Sequence, residues 1–162
     1  MGVSRRAGRS HVSYIDRTRE FYAAQGYARP YEWACHDEVP FTPLAGHPGE
    51  LRVGVVTTAF PVTEGGGTKA AYRHPADPVP RAMYTADLSW DKEATHTDDV
   101  GSFLPLEALV GAVGRGLVGS ASPAFYGVPT EYSRNKTVER DAPRVIEWCR
   151  QDEVDLVLLV PL

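Results

Sequence analysis

Apolar residues recur along this chain in two rhythms, one of strands and one of helices. Residues 51–59 (LRVGVVTTA) are β-branched and apolar and predict the first strand. Val12, Ile15 and Tyr22 recur at helical spacing, which predicts a short helix over 10–26 with Ser13 as its cap and Gly26 at its close. A second helix opens at Pro105, a position that suits proline, with Leu106, Leu109, Val110 and Val113 as its buried stripe and Gly114 and Gly116 at its end. A short strand is expected over 117–120, then a turn-rich segment over 122–133. Over 137–151, Val138, Ala142, Val145, Ile146 and Cys149 share one helical face. Residues 154–162 (VDLVLLVPL) read as a buried strand without a polar tail. Strand, helix, strand, helix, strand predicts an α/β fold: a parallel sheet with right-handed crossovers and flanking helices in three layers.

Two irregular stretches interrupt this order. Residues 27–50 hold Pro30, Pro40, Pro43 and Pro48, which forbid long regular elements, together with Tyr27, Tyr31, Trp33 and Phe41. Such an aromatic-rich segment is expected as a lead-in packed across the domain. Residues 60–101 form a long loop after the first strand, with Pro61, Pro75, Pro78 and Pro80. It carries His74, Asp77, Asp87, Asp91, His96, Asp98 and Asp99, and loops of that length favour a functional reading. Residues 1–10, with Arg5, Arg6 and Arg9, read as a flexible basic arm, and 11–162 as a single α/β domain.

Charge and cysteine usage narrow the class. A net charge of −4 argues against nucleic acid as a partner. No apolar run reaches membrane-spanning length, and the arginine-bearing N-terminus lacks the apolar stretch of a secretory signal. Two cysteines, Cys35 and Cys149, do not make a disulfide framework, so a reducing cytoplasm is expected.

The chemistry-bearing groups are few. Gly65, Gly66, Gly67, Thr68 and Lys69 suggest a phosphate loop, but the lysine follows the threonine and Pro75 and Pro78 cut short any helix. A flexible hinge or lid is the expectation there. Thr57 and Thr58 close the first strand at its carboxyl end, where α/β sites form and where their hydroxyls could bind a carboxylate or phosphate. Strand propensity and turn capping explain them equally well. Tyr126 joins them as a candidate substrate-binding residue. His96 with Asp98 and Asp99 is the best catalytic cluster, because an imidazole beside carboxylates can shuttle a proton near neutral pH. One histidine with loose carboxylates is a weak metal signature, so neither metal nor cofactor is expected. Cys149 falls on an apolar helix face and reads as inert core. Cys35, beside His36 and Asp37, is the possible reactive thiol.

The order of segments resembles the glycine/sarcosine/betaine reductase selenoprotein B and D-proline reductase family. The resemblance runs through SYIDRTREFYAAQGYARPYEWACHDEVPFTPL, LRVGVVTTA, the loop with His96 and Asp99, FLPLEALVGAVGRGLVG and DLVLLVPL, roughly residues 11–162. It implies an α/β subunit of a thiol-dependent oxidoreductase complex that cleaves a C–N bond reductively in an amino acid or related small amine. It also implies that His96 and Asp99 belong to the family's polar loop, and Thr57 and Thr58 to its strand end. Two features depart from the pattern. Gly101 stands where the family tends to carry asparagine, and the family's redox residue would lie beyond the last strand.

Three functional expectations follow. The first is a split reductase whose cysteine or selenocysteine comes from a partner chain carrying the C-terminal half. The second is a non-catalytic small-molecule-binding or scaffold subunit, and the third is an acid–base enzyme using His96 with Asp98 or Asp99. A homo-oligomer that covers the last strand is the alternative to a heteromer.

Overall fold

The computed structural model describes residues 14–29, 37–39, 42–62, 70–86, 88, 92–130 and 133–162. It divides into two compact units, Met1–Pro40 and Phe41–Leu162. The basic arm, Val12, Ser13, Tyr31, Trp33 and Phe41 lie outside the described residues. In the first unit, helix α1 (Tyr14–Ala24) is followed by Gly26 at φ +84°, a left-handed conformation that glycine adopts at no steric cost. Tyr22 packs edge-on against both Phe21 and Tyr27.

The second unit is a mixed α/β fold, a sheet with flanking helices. Strand β1 (Arg52–Thr57) lies at its centre because its valines are apolar toward both faces. After it come β2 (Phe60–Pro61), β3 (Tyr72–Pro75), β4 (Met83–Tyr84), α2 (Leu106–Gly114), β5 (Ser120–Ala121) and β6 (Ala124–Gly127). A helical turn, α3 (Arg134–Lys136), and a π-helical turn (Thr137–Asp141) lead into α4 (Ala142–Gln151), and β7 (Leu156–Val160) follows. β1 pairs in parallel with β7 over all five residues of that strand, from Val53 opposite Leu156 to Thr57 opposite Val160. Its other edge takes β5 at Arg52 and Val53, then β6 at Val56 and Thr57.

β3 is the departure from an all-parallel sheet: it runs antiparallel to β6, with Arg73 opposite Tyr126 and His74 opposite Phe125. A parallel neighbour needs a crossover connection, and the described residues between β1 and β3 supply only β2. β2 and β4 form a separate two-stranded antiparallel ribbon. The expected long loop over 60–101 is thus partly sheet. The expected turn-rich segment over 122–133 contains β6, one of the most buried strands, with Phe125 and Tyr126 fully buried. Pro123 and Pro129 bound only four strand residues, too few for a period to show.

Alternation along β1 divides the core. Val53 and Val55 face a cluster with Phe103, Leu104, Leu106 and Leu109, so α2 covers this side. Val56 faces the other side with Tyr126, Val145 and Cys149, covered by α4. Each fully buried Leu or Phe stabilises the fold by roughly 1.5–3 kcal/mol. Both helical stripes are narrower than their spacing predicts: Val110, Val138 and Ile146 are exposed. The last strand also differs from its expected burial. β7 is an edge strand, with Leu158 40% and Leu159 75% exposed.

Close approach decides Gly127. The Tyr72 ring lies beside it, and a Cβ at that position would run into the ring. Tyr72 in turn donates its hydroxyl to the Ala59 carbonyl. Burial pushes the Tyr72 phenol up, so it stays a neutral donor.

A buried polar hub ties the second core together. The Asp152 carboxylate accepts two hydrogen bonds from Arg73, at 2.6 and 2.8 Å, and one from the Tyr126 hydroxyl at 2.7 Å. The Asp152 carbonyl accepts from Arg52 at 2.8 Å. Arg73, with Tyr126 assisting, holds the Asp152 carboxyl below the usual carboxylate range.

Gly127→Ala is expected to destabilise the fold by about 1–3 kcal/mol through overpacking, read from urea denaturation midpoints. Asp152→Asn should cost about 1–3 kcal/mol, because it weakens the charge-assisted bonds that the carboxylate accepts from Arg73 and Tyr126. The depressed carboxyl also sets a pH dependence. Its stabilisation is fully present above the unfolded-state value of about 3.9 and is lost as pH falls through the lower folded-state value. The stability gap between the parent and Asp152→Asn, read from urea midpoints by circular dichroism, should therefore be widest near neutral pH and shrink as pH falls into the acid range.

Candidate functional site

The loop that carries His96, Asp98 and Asp99 is local. Its segment runs from Thr95 to Asp99 and enters a 3-10 turn, Val100–Ser102, that leads toward α2. Asp99 caps this turn. Its Oδ1 accepts from the Gly101 backbone N–H at 3.1 Å, and its carbonyl accepts from the Ser102 hydroxyl at 2.7 Å. The Gly101 Cβ direction meets the Asp99 carboxylate at 3.2 Å, so the small residue lets the cap close. His96 and Asp98 sit on the solvent side, with Nδ1 3.7 Å from Oδ2. The Asp98 N–H also points at the same ring nitrogen, at 3.4 Å.

Asp98 and Asp99 line an open cleft of about 380 Å³. Its floor is apolar, made by Val79, Val100 and Leu104, which belong to or pack on the first core. Its rim is charged on both sides: Arg81 follows Pro80, and Glu107 rises from the first turn of α2. Pro105 is the α2 N-cap and offers no side-chain cap, so the first-turn N–H groups carry the positive end of the helix dipole toward this rim. Arg81 and Glu107 were not singled out from the sequence. The only hint was Pro105 as a helix start, which brings the residue two positions on to the helix entrance.

The remaining candidates lie elsewhere. Thr57 is 1% exposed, and its hydroxyl accepts from the Ala59 N–H at 3.3 Å. Thr58 is engaged with Leu162, accepting from its N–H at 2.9 Å and donating to its carbonyl at 3.2 Å. Tyr126 is fully buried, its hydroxyl shared between Asp152 and Ser122, 3.1 Å away. His96, Thr57, Thr58 and Tyr126 do not line the cleft. Cys35 and His36, the Gly65–Lys69 run, and Asp87 and Asp91 lie outside the described residues. Cys149 is buried on the α4 face, and burial pushes its thiol up, away from the reactive thiolate.

No family model, no curated protein and no solved structure matches the chain. Among the described residues, no group of three or more His, Cys, Asp and Glu side chains could hold a metal ion. No helix among them is long and apolar enough to cross a membrane. The site is therefore read from its geometry.

Asp99→Ala should cost about 1 kcal/mol by removing the cap, whereas His96→Ala should stay within about 0.5 kcal/mol of the parent. Thermal unfolding of the two variants side by side checks this separation.

Proposed function

We propose that the cleft between residues 79–81, 98–101 and the start of α2 holds a small zwitterion, an amino acid or related amine. The carrying observation is that one cleft presents Arg81 beside the carboxylates of Asp98, Asp99 and Glu107. A guanidinium near a helix N-terminus suits a substrate carboxylate, and flanking acids suit an ammonium. The apolar floor suits the carbon between them.

In this reading the chain is the substrate-holding subunit of a thiol-dependent reductase complex of the glycine or D-proline reductase type. A partner chain supplies the cysteine or selenocysteine. As its thiolate or selenolate bonds to the substrate carbon, the C–N bond breaks and the amine leaves with the bonding pair. The ammonium of a bound zwitterion already carries its protons, so the amine leaves neutral, and His96, exposed beside Asp98 outside the cleft lining, is not called on in this step. The body is taken as three-layered, with α2 and α4 on opposite faces of the sheet, and as a cytoplasmic protein.

The His96–Asp98 contact supports a second reading, an acid–base enzyme of another class that needs no thiol. Activity surviving alanine at both Cys35 and Cys149 without a partner would favour it.

Titration calorimetry of the full chain with glycine, sarcosine, betaine and D-proline tests the first reading. Binding of at least one is expected, with Arg81→Gln weakening it tenfold or more, about 1.4 kcal/mol. No heat with any of the four, or an unchanged affinity in Arg81→Gln, would sink it. The mass of the complex purified from the native host should in addition include a cysteine- or selenocysteine-bearing chain.

A further inference from the structure

The opposite side of the sheet holds a second surface with different chemistry. Between α4 and β7 lies a groove of about 490 Å³ whose walls include Val56, Val128, Ile146, Val157 and Leu159. Among the described residues, Arg150 is the one charged residue in its lining. At its mouth Leu159 is 75% exposed and Ile146 49%. Apolar surface of this kind, open at one side, is rare on a stable monomer.

The groove is continuous with a sheet edge that no described strand covers. β7 spends one edge on β1, and among the described residues no strand pairs with the other. Its five residues, Leu156-Val157-Leu158-Leu159-Val160, include no charge, no proline and no glycine. Exposed edges are usually blunted by lysine, proline or a bulge, because bare N–H and C=O groups recruit another strand.

We infer that this edge pairs with the same edge of a second copy of the chain, antiparallel about a two-fold axis through Leu158. The register carries the choice of occupant. About that axis Leu156 stands opposite Val160, Val157 opposite Leu159, and Leu158 opposite itself. Residues directly opposed in an antiparallel pair share a sheet face, so every pair is apolar against apolar. Val157 and Leu159 of each copy then extend the other's groove. The nearest charge, Asp155, falls opposite Pro161, so no like charges meet. Its carboxylate is already held by the Arg52 N–H at 2.8 Å. A parallel pairing of two copies would be heterologous and would not close, whereas the antiparallel one satisfies both edges at once. The inference stands whether or not the cleft binds an amine.

Sedimentation velocity of the full chain over a concentration series is the test. A dimer is expected for the parent, with Leu159→Lys weakening dimerisation tenfold or more. Val110→Lys, an equally exposed change on α2, should leave it intact. Leu158→Cys should form an intermolecular disulfide on mild oxidation, since the axis sets the two residues face to face. A parent monomeric at all concentrations would overturn the inference. So would a Leu159→Lys variant as dimeric as the parent, or a Leu158→Cys dimer that does not crosslink. Circular dichroism of Leu159→Lys should match the parent, because the side chain is exposed in the single copy.

Discussion

One buried carboxylate holds the described body in register. Asp152 lies just past α4, yet its two oxygens are claimed by Arg73 from β3 and Tyr126 from β6, and its carbonyl by Arg52 from β1. A carboxylate taken out of water without partners would cost several kcal/mol. With a bidentate guanidinium and a phenol its lone pairs are satisfied, and the same bonds dictate which strands stand side by side. The antiparallel placement of β3 puts Arg73 opposite Tyr126, so both reach Asp152 from one face of the sheet. Gly54 belongs to the same arrangement, since a Cβ there would press on the Tyr126 ring and on Val154 at 3.2 Å.

The hub also launches the last strand. Glu153, the next residue, takes φ +54°, a left-handed conformation uncommon for a residue with a side chain. That turn reverses the chain at the end of α4, and Asp155 then exchanges hydrogen bonds with Arg52 to start the β1–β7 ladder. The placement of the two walls of the groove between α4 and β7 is thus set by Asp152 together with the packing of Val145 and Cys149 against Val56 and Val157.

Elements with a long period were legible in the sequence, and elements fixed by tertiary partners were not. The strand at β1 and the helices at α2 and α4 show in residues 51–59, 105–114 and 137–151 because each repeats its signal several times. β6 is four residues between prolines, and its strand character comes from pairing with β1 and β3 at once. Exposure was harder still. Val110, Val138 and Ile146 fall on apolar stripes by spacing, but α2 and α4 each meet the sheet along a narrower line, Leu106 and Leu109 on one and Val145 and Cys149 on the other. The candidate site divides the same way. Asp98 and Asp99 are adjacent and readable as a cluster, whereas Arg81 reaches the cleft only through the fold. Thr57 was placed on the right strand and Tyr126 in a turn-rich segment that is in fact β6, and nothing in their spacing says that their hydroxyls turn inward to Ala59 and Asp152.

The alternation of β1 has a consequence for how the two surfaces relate. Val55 packs into the core beneath α2, on the side of the charged cleft, and Val56 packs into the core beneath α4, on the side of the apolar groove. A ligand in the cleft and the apolar groove thus lie on opposite faces of one sheet. The described links between them are the β1–β7 ladder, the packing of Leu156 and Val160 on the cluster that includes Leu104, and the Thr58–Leu162 hydrogen bonds. Coupling between sites requires an element with two arrangements that both sites bias. β1 is hydrogen-bonded along both edges and buried on both faces, which leaves it poorly suited to shift. Changes at Arg81 and at Leu159 should therefore add independently in binding and in association, as expected of distant sites without shared partners.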